Sequence, residues 1–168
     1  MGCRVAAMLL MVAAAAPAAA LPPAASCELT AYLADRDPAG LNVRAGPSAR
    51  TRVLRRIDSD LAGVASLREH RGGWFRVARI VDAETDAVLF EGDGWVHGSL
   101  LGLDVANADP RLYSAADSGS RTLATLRPDE TPLTLIGCSG AWARVRAAGR
   151  TGWLSPSGQC SNPLTTCA

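Results

Sequence analysis

The feature that most constrains this chain is a repeat of short apolar blocks separated by turn formers. Asn42-Val43-Arg44-Ala45-Gly46-Pro47-Ser48 is followed by Val53-Leu54-Arg55-Arg56-Ile57, then Gly72-Gly73-Trp74-Phe75-Arg76-Val77, then Gly94-Trp95-Val96. The second half runs in the same order. Leu112-Tyr113-Ser114-Ala115-Ala116-Asp117-Ser118 precedes Leu123-Ala124-Thr125-Leu126, then Ser139-Gly140-Ala141-Trp142-Ala143-Arg144-Val145, then Gly152-Trp153-Leu154. The offset reads as 70 residues at the opening block, 68 at the first tryptophan and 58 at the second, so the second copy is shorter mainly between its tryptophan blocks. A repeated unit must bury its apolar face within itself or against its neighbour.

Each block fits a short strand. Ala143-Arg144-Val145-Arg146 alternates cleanly, as a half-buried strand requires, and Phe75-Arg76-Val77-Ala78-Arg79 does so approximately. Ala147-Ala148-Gly149 supplies a hairpin tip in the second copy. In the first copy the same hairpin carries an insertion with Asp82-Ala83-Glu84-Thr85-Asp86, which reads as a solvated tip rather than a metal site. No helix of ordinary length is predicted after the N-terminal segment. The expected fold is all-β.

These blocks carry a family resemblance. Leu41-Asn42-Val43-Arg44-Ala45-Gly46-Pro47-Ser48, a later Gly-Trp-aromatic-x-Val and a closing Gly-Trp-Val resemble the bacterial Src homology 3 (SH3b) domain. The first copy is the closer match. The second lacks the Asn-Val-Arg-Ala-Gly-Pro opening and rests on Ala141 to Arg146 and Gly149 to Leu154. The resemblance implies two tandem small SH3-like barrels of about five strands each, over residues 28–103 and 110–168. Asp104 to Asp109 is then expected to be a short, mostly polar connector, and the second copy is expected to be disulfide-stabilised. It also implies a non-catalytic targeting or binding module, of a kind often found at the cell wall.

The N-terminus reads as a secretory signal over residues 1–20. Arg4 gives a charged head, Val5 to Ala16 is apolar, and Ala18-Ala19-Ala20 follows Pro17. The run is too short to span a bilayer, and no second one follows it, so no membrane span is expected. Ala24-Ala25-Ser26-Cys27 loosely resembles a lipobox, which leaves acylation of Cys27 as the lesser alternative to a periplasmic or secreted protein. Without Arg4 the chain balances 16 arginines against 16 acidic residues, with no lysine. Such a balance offers no footprint for nucleic acid.

Beyond Cys3, the cysteines are Cys27, Cys138, Cys160 and Cys167. An even number in a small exported chain points to disulfides. Three pairings are open; Cys138–Cys160 is favoured, which leaves Cys27–Cys167. No Cys-x-x-Cys pair or nearby histidine suggests a metal, and no cofactor is expected.

A catalytic site is not expected. His70 lies in a charged loop reading as solvated, His97 follows Gly94-Trp95-Val96, and no Gly-x-Ser-x-Gly occurs. Asp35/Asp37 and Asp58/Asp60 lie beside turn residues and read as solvated. The tryptophans are the better candidates. With Val77 and Val145 inside, Phe75 and Ala143 share the inner face, while Trp74 with Arg76 and Trp142 with Arg144 share the outer one. Tryptophan beside arginine can stack on a ligand and hold its carboxylate. The competing expectation is that the rings only cover the hairpin or the seam between copies, and Trp95 and Trp153 read as structural. The partner is then peptidoglycan, or alternatively an envelope protein engaged by an adaptor or inhibitor. Pull-down on cell wall against envelope extract separates the two.

Overall fold

The computed structural model describes residues 23–128, 133–147 and 149–165. Residues 1–20, read above as a signal and including Cys3, lie outside them, as does Cys167. Among the described residues there is no α-helix, and no helix long and apolar enough to cross a membrane. The chain is all-β.

The first half comprises β1 (Ala25–Leu33), β2 (Leu41–Arg44), β3 (Val53–Ile57), β4 (Gly63–Arg71), β5 (Trp74–Asp82), β6 (Val88–His97) and β7 (Leu101–Gly102). The second half comprises β8 (Asp104–Val105), β9 (Arg111–Tyr113), β10 (Thr122–Thr125), β11 (Thr134–Ser139), β12 (Trp142–Ala147), β13 (Arg150–Leu154) and β14 (Gln159–Cys160). The first sheet runs β3-β2-β6-β5-β4-β1-β7 and the second β10-β9-β13-β12-β11. The order β3-β2-β6-β5-β4 is therefore repeated strand for strand as β10-β9-β13-β12-β11, antiparallel throughout.

The pairing corrects the spacing of the repeat. Arg44 lies opposite Trp95, and Tyr113 lies opposite Trp153, so Arg44 corresponds to Tyr113 at an offset of 69 rather than 70. Turn hydrogen bonds agree with this: Ala45 N–H donates to Arg52 O (2.9 Å), and Ser114 N–H donates to Arg121 O (2.9 Å). The Thr51 hydroxyl donates to Gly46 O (2.9 Å) as the Ser120 hydroxyl does to Ala115 O (3.3 Å). Composition hid this register because Gly46-Pro47 in one turn is replaced by Ala115-Ala116 in the other. The backbone geometry is kept by one hydroxyl.

Each half also closes on itself. Both fifth strands lead into a 3-10 turn, Gly98–Leu100 or Pro156–Gly158, capped at its start by His97 or Ser155. The short strand that follows pairs with the leading strand of its own half, β7 with β1 and β14 with β8. The stretch 104–109 is therefore not a free connector. Val105 and Asp109 are buried, and β8 belongs to the second unit. Val105 and Ala106 pack, while Asp104 accepts from Tyr32 and Asp109 from Arg111, Tyr113 and Ser155; these aspartates made the segment read as linker.

Alternation is visible in the burial. Phe75 and Val77 on β5, and Ala143 and Val145 on β12, are fully buried between partly exposed neighbours. Phe75, Val77 and Val145 each contribute about 1.5–3 kcal/mol by this burial. The buried side chains of both units form one continuous cluster. Gly102 is needed for close approach, since a Cβ there would lie 1.9 Å from the Tyr32 ring. The Tyr32 hydroxyl donates to Asp104 (3.2 Å), and burial with that neighbouring carboxylate pushes its pKa up to about 12.

The covalent link differs from the favoured pairing. Cys27 on β1 is bonded to Cys138 on β11, across 111 residues, so neither Cys138–Cys160 nor Cys27–Cys167 forms. Cys160 is itself disulfide-bonded. Proximity within one copy was the wrong guide, because β1 runs beside the second unit. Glu28 N–H donates to Gly140 O (2.7 Å) and Gly140 N–H to Ser26 O (3.0 Å), which brings Cys27 against Cys138. The Cys27 sulfur is thereby committed, and the lipobox reading is set aside: one sulfur cannot hold both Cys138 and a lipid thioether.

Two further readings change. His70 lies on β4 rather than in a solvated loop. Its ring packs on Phe75 (4.8 Å) and its Nε2 accepts from Gly73 N–H (3.3 Å). Burial, and then the charge of Arg144, lower its pKa. Asp82 is buried rather than solvated, because its carboxylate accepts hydrogen bonds from Glu84 N–H, Thr85 N–H and the Thr85 hydroxyl (2.8–3.0 Å).

Candidate functional site

Corresponding positions in the two units have different fates. In the first unit, a cleft of about 570 Å³ opens between the Asp35–Gly40 loop, β2, the Pro47–Ala49 turn and the start of β5. Trp74 and His97 form one wall, their rings edge to face at 5.1 Å. Asn42 and Arg44 contribute from β2, where alternation turns Leu41 and Val43 inward. Arg44 is steadied by a hydrogen bond from Nη1 to Thr51 O (3.0 Å).

The Asp35–Gly40 part of the lining is acidic and held by its own backbone. Asp35 accepts from Asp37 N–H (3.0 Å) and Asp37 from Ala39 N–H (2.9 Å). Asp35 is half-buried and lines the cleft, so it is not simply solvated. The loop turns at Gly40, where φ is +80° and a Cβ would meet Ile57 O at 2.5 Å. A carboxylate pair, a guanidinium, an imidazole and an indole thus face one space. Such a wall suits a polar ligand carrying both amine and carboxylate groups.

In the second unit the same position is filled. Tyr113, at the place of Arg44, is only 1% exposed, and its ring meets Trp142 edge-on at 5.5 Å. Its hydroxyl donates to the Asp109 carboxylate (3.0 Å), which also accepts from the Ser155 hydroxyl (2.6 Å) and Arg111 Nε (2.6 Å). Burial works to raise the Asp109 pKa, but the hydrogen bonds from Ser155, Arg111 and Tyr113 outweigh it and hold the carboxyl below its usual value. The stabilisation is therefore complete above the unfolded value of about 3.9 and is lost as pH falls through the lower folded value. Melts of the wild type and Asp109→Asn should differ at neutral pH, and the difference should begin to shrink below about pH 4 and vanish only below the lowered folded value. A constant difference down to pH 2 would contradict the assignment.

Of the four tryptophan–arginine positions predicted from sequence, only Trp74 lines the open cleft. Arg76 is not brought to it; Glu69 (3.4 Å) and Asp93 (3.2 Å) engage its guanidinium. Trp142 packs on Tyr113, and Arg144 sits 5.8 Å from the Trp153 ring. Asn42, Arg44 and His97 were missed as a group, although period-two alternation across Leu41 and Val43 puts Asn42 and Arg44 on one face.

Comparison with known proteins bears on the second unit. Residues 107–158 match the family described as Bacterial SH3 domain, a span that holds β9 to β13 and the following 3-10 turn. No curated protein matches the chain. Among solved structures, the chain is similar to NlpC2 from Trichomonas vaginalis, at 13% identity and a TM-score of 0.34, covering 79% of this chain and 48% of that one. The chain thus spans about half the length of that structure. The family match falls on the copy whose opening motif is the weaker in sequence.

Proposed function

We propose that this chain, which carries a bacterial SH3 domain over residues 107–158, is an exported, non-catalytic binding module that engages peptidoglycan through the cleft of its first unit. The observation that carries the reading is the contrast between the units: the first leaves Trp74 facing an open polar cleft, while the second fills that place with Tyr113. The first half shares the strand order of the matched domain and is read as a second member of the same kind. Peptide stems of the cell wall bear the amine, carboxylate and amide groups that the cleft walls complement. A buried disulfide between β1 and β11 fits an oxidising compartment.

The non-catalytic part rests on the chemistry of the candidate nucleophiles. Cys27, Cys138 and Cys160 are disulfide-bonded. The Ser99 hydroxyl does meet His97 Nδ1 (2.8 Å), but the two belong to the cap of one 3-10 turn, where His97 Nδ1 also accepts from Ser99 N–H. No carboxylate bonds the other ring nitrogen among the described residues, so the pair lacks the orienting third group of a triad.

The test is co-sedimentation with purified sacculi. The protein should pellet with them and release no soluble muropeptides. Trp74→Ala should weaken pelleting roughly tenfold, as for a binding hot spot, whereas Arg76→Ala should leave it unchanged because that side chain is engaged elsewhere. Equal retention of wild type and Trp74→Ala, both folded by circular dichroism, would remove the cleft from the mechanism. A folded wild type that ignores sacculi and captures one envelope protein would establish the adaptor reading instead.

A further inference from the structure

A second cleft, of about 380 Å³, lies on the seam between the units and is separate from the Trp74 site. Glu28 and Thr30 of β1 and Ser66 and Arg68 of β4 form one side, and Gln159 and Ser161 of the second unit the other. We infer that this seam is a binding site for an α-amino-acid zwitterion, its ammonium held by Glu28 and Gln159 and its carboxylate by Arg68.

Three features support this. First, Glu28 and Arg68 carry opposite charges at one cleft, yet neither has a side-chain hydrogen bond or ion pair with another described residue. Second, the backbone is irregular at this place. In the β1–β4 ladder Ser26 faces Glu69 and Leu29 faces Leu67, so Cys27 and Glu28 together oppose Arg68. The β4–β5 ladder also skips Arg68, passing from Leu67–Val77 to Glu69–Arg76. Bulges of this kind re-aim side chains.

Third, the far wall is anchored. Gln159 Nε2 donates to the carbonyls of Ala141 (2.8 Å), Ser155 (3.1 Å) and Leu154 (3.3 Å), leaving Oε1 as the uncommitted end of a side chain that lines the cleft. The Thr30 and Ser161 hydroxyls meet at 2.6 Å across the seam, and the Cys27–Cys138 bond fixes the two walls. A carboxylate and a guanidinium on one wall, with an amide acceptor facing them from the other, select a small ligand with adjacent opposite charges. Its volume suits a free amino acid or the zwitterionic end of a peptide.

The experiment is a titration of the intact, oxidised, isotope-labelled protein by NMR with alanine, N-acetylalanine and alaninamide. Alanine should shift the amides around Glu28, Arg68 and Gln159. N-acetylalanine, lacking the ammonium, and alaninamide, lacking the carboxylate, should each bind about tenfold more weakly or worse, as loss of a charge-assisted hydrogen bond implies. Glu28→Gln should abolish the preference for alanine over N-acetylalanine while keeping the preference over alaninamide. Arg68→Met should do the reverse. An unchanged spectrum away from the seam certifies each variant's fold. Absence of shifts at the seam with saturating alanine, or equal binding of all three compounds, would overturn the proposal, and neither result bears on sacculus binding through the Trp74 cleft.

Discussion

Replacing Cys27 and Cys138 together by serine should lower the stability of the folded chain by about 4–5 kcal/mol, the value for a loop of this length. The bond closes 111 residues and joins the two units, so its loss frees the unfolded chain and loosens the seam together. Guanidinium unfolding of the oxidised wild type, the double variant and the reduced wild type measures this. The double variant should unfold at a lower midpoint, and the reduced wild type should fall to that midpoint or below it, since Cys160 is also disulfide-bonded. Coincident curves for oxidised and reduced wild type would refute the stabilising role.

Tyr113→Ala should be nearly as damaging, at roughly 3–5 kcal/mol for a fully buried aromatic. The ring supports Trp142, and the hydroxyl satisfies a carboxylate that is only 7% exposed. Tyr113→Phe separates the two contributions. It keeps the packing and should cost about 1–3 kcal/mol, the penalty for leaving Asp109 short of a donor. Thermal melts at pH 7 give both values. If Tyr113→Ala melts with the wild type, the second unit does not depend on the filled cleft.

The architecture was readable because apolar alternation survives in both copies. Phe75/Val77 and Ala143/Val145 announce their strands, and the Gly-Trp pairs announce the closing ones. The register at the opening block was not readable, because Arg44 and Tyr113 share a position without sharing chemistry. The placement of Trp74 followed from period two, but the fate of Arg76 did not. Its partners Glu69 and Asp93 come from neighbouring strands, and only the ladder brings them together. The disulfide was misjudged for a similar reason. No local pattern says that β1, after pairing with β4, lies against the second unit, and the Cys27–Gly140 bridge that decides it joins residues far apart in sequence.

The linkage of Cys27 to Cys138 also sets an order of events. The two are consecutive cysteines in the chain, with none between them. For a chain delivered N-terminus first to an oxidising compartment and cleaved between Cys3 and Cys27, Cys27 is the first thiol and waits through the whole first unit. The next thiol to arrive is its native partner, and Cys160 follows only 22 residues later. Oxidation in order of arrival then pairs Cys27 with Cys138 before Cys160 can compete for either sulfur.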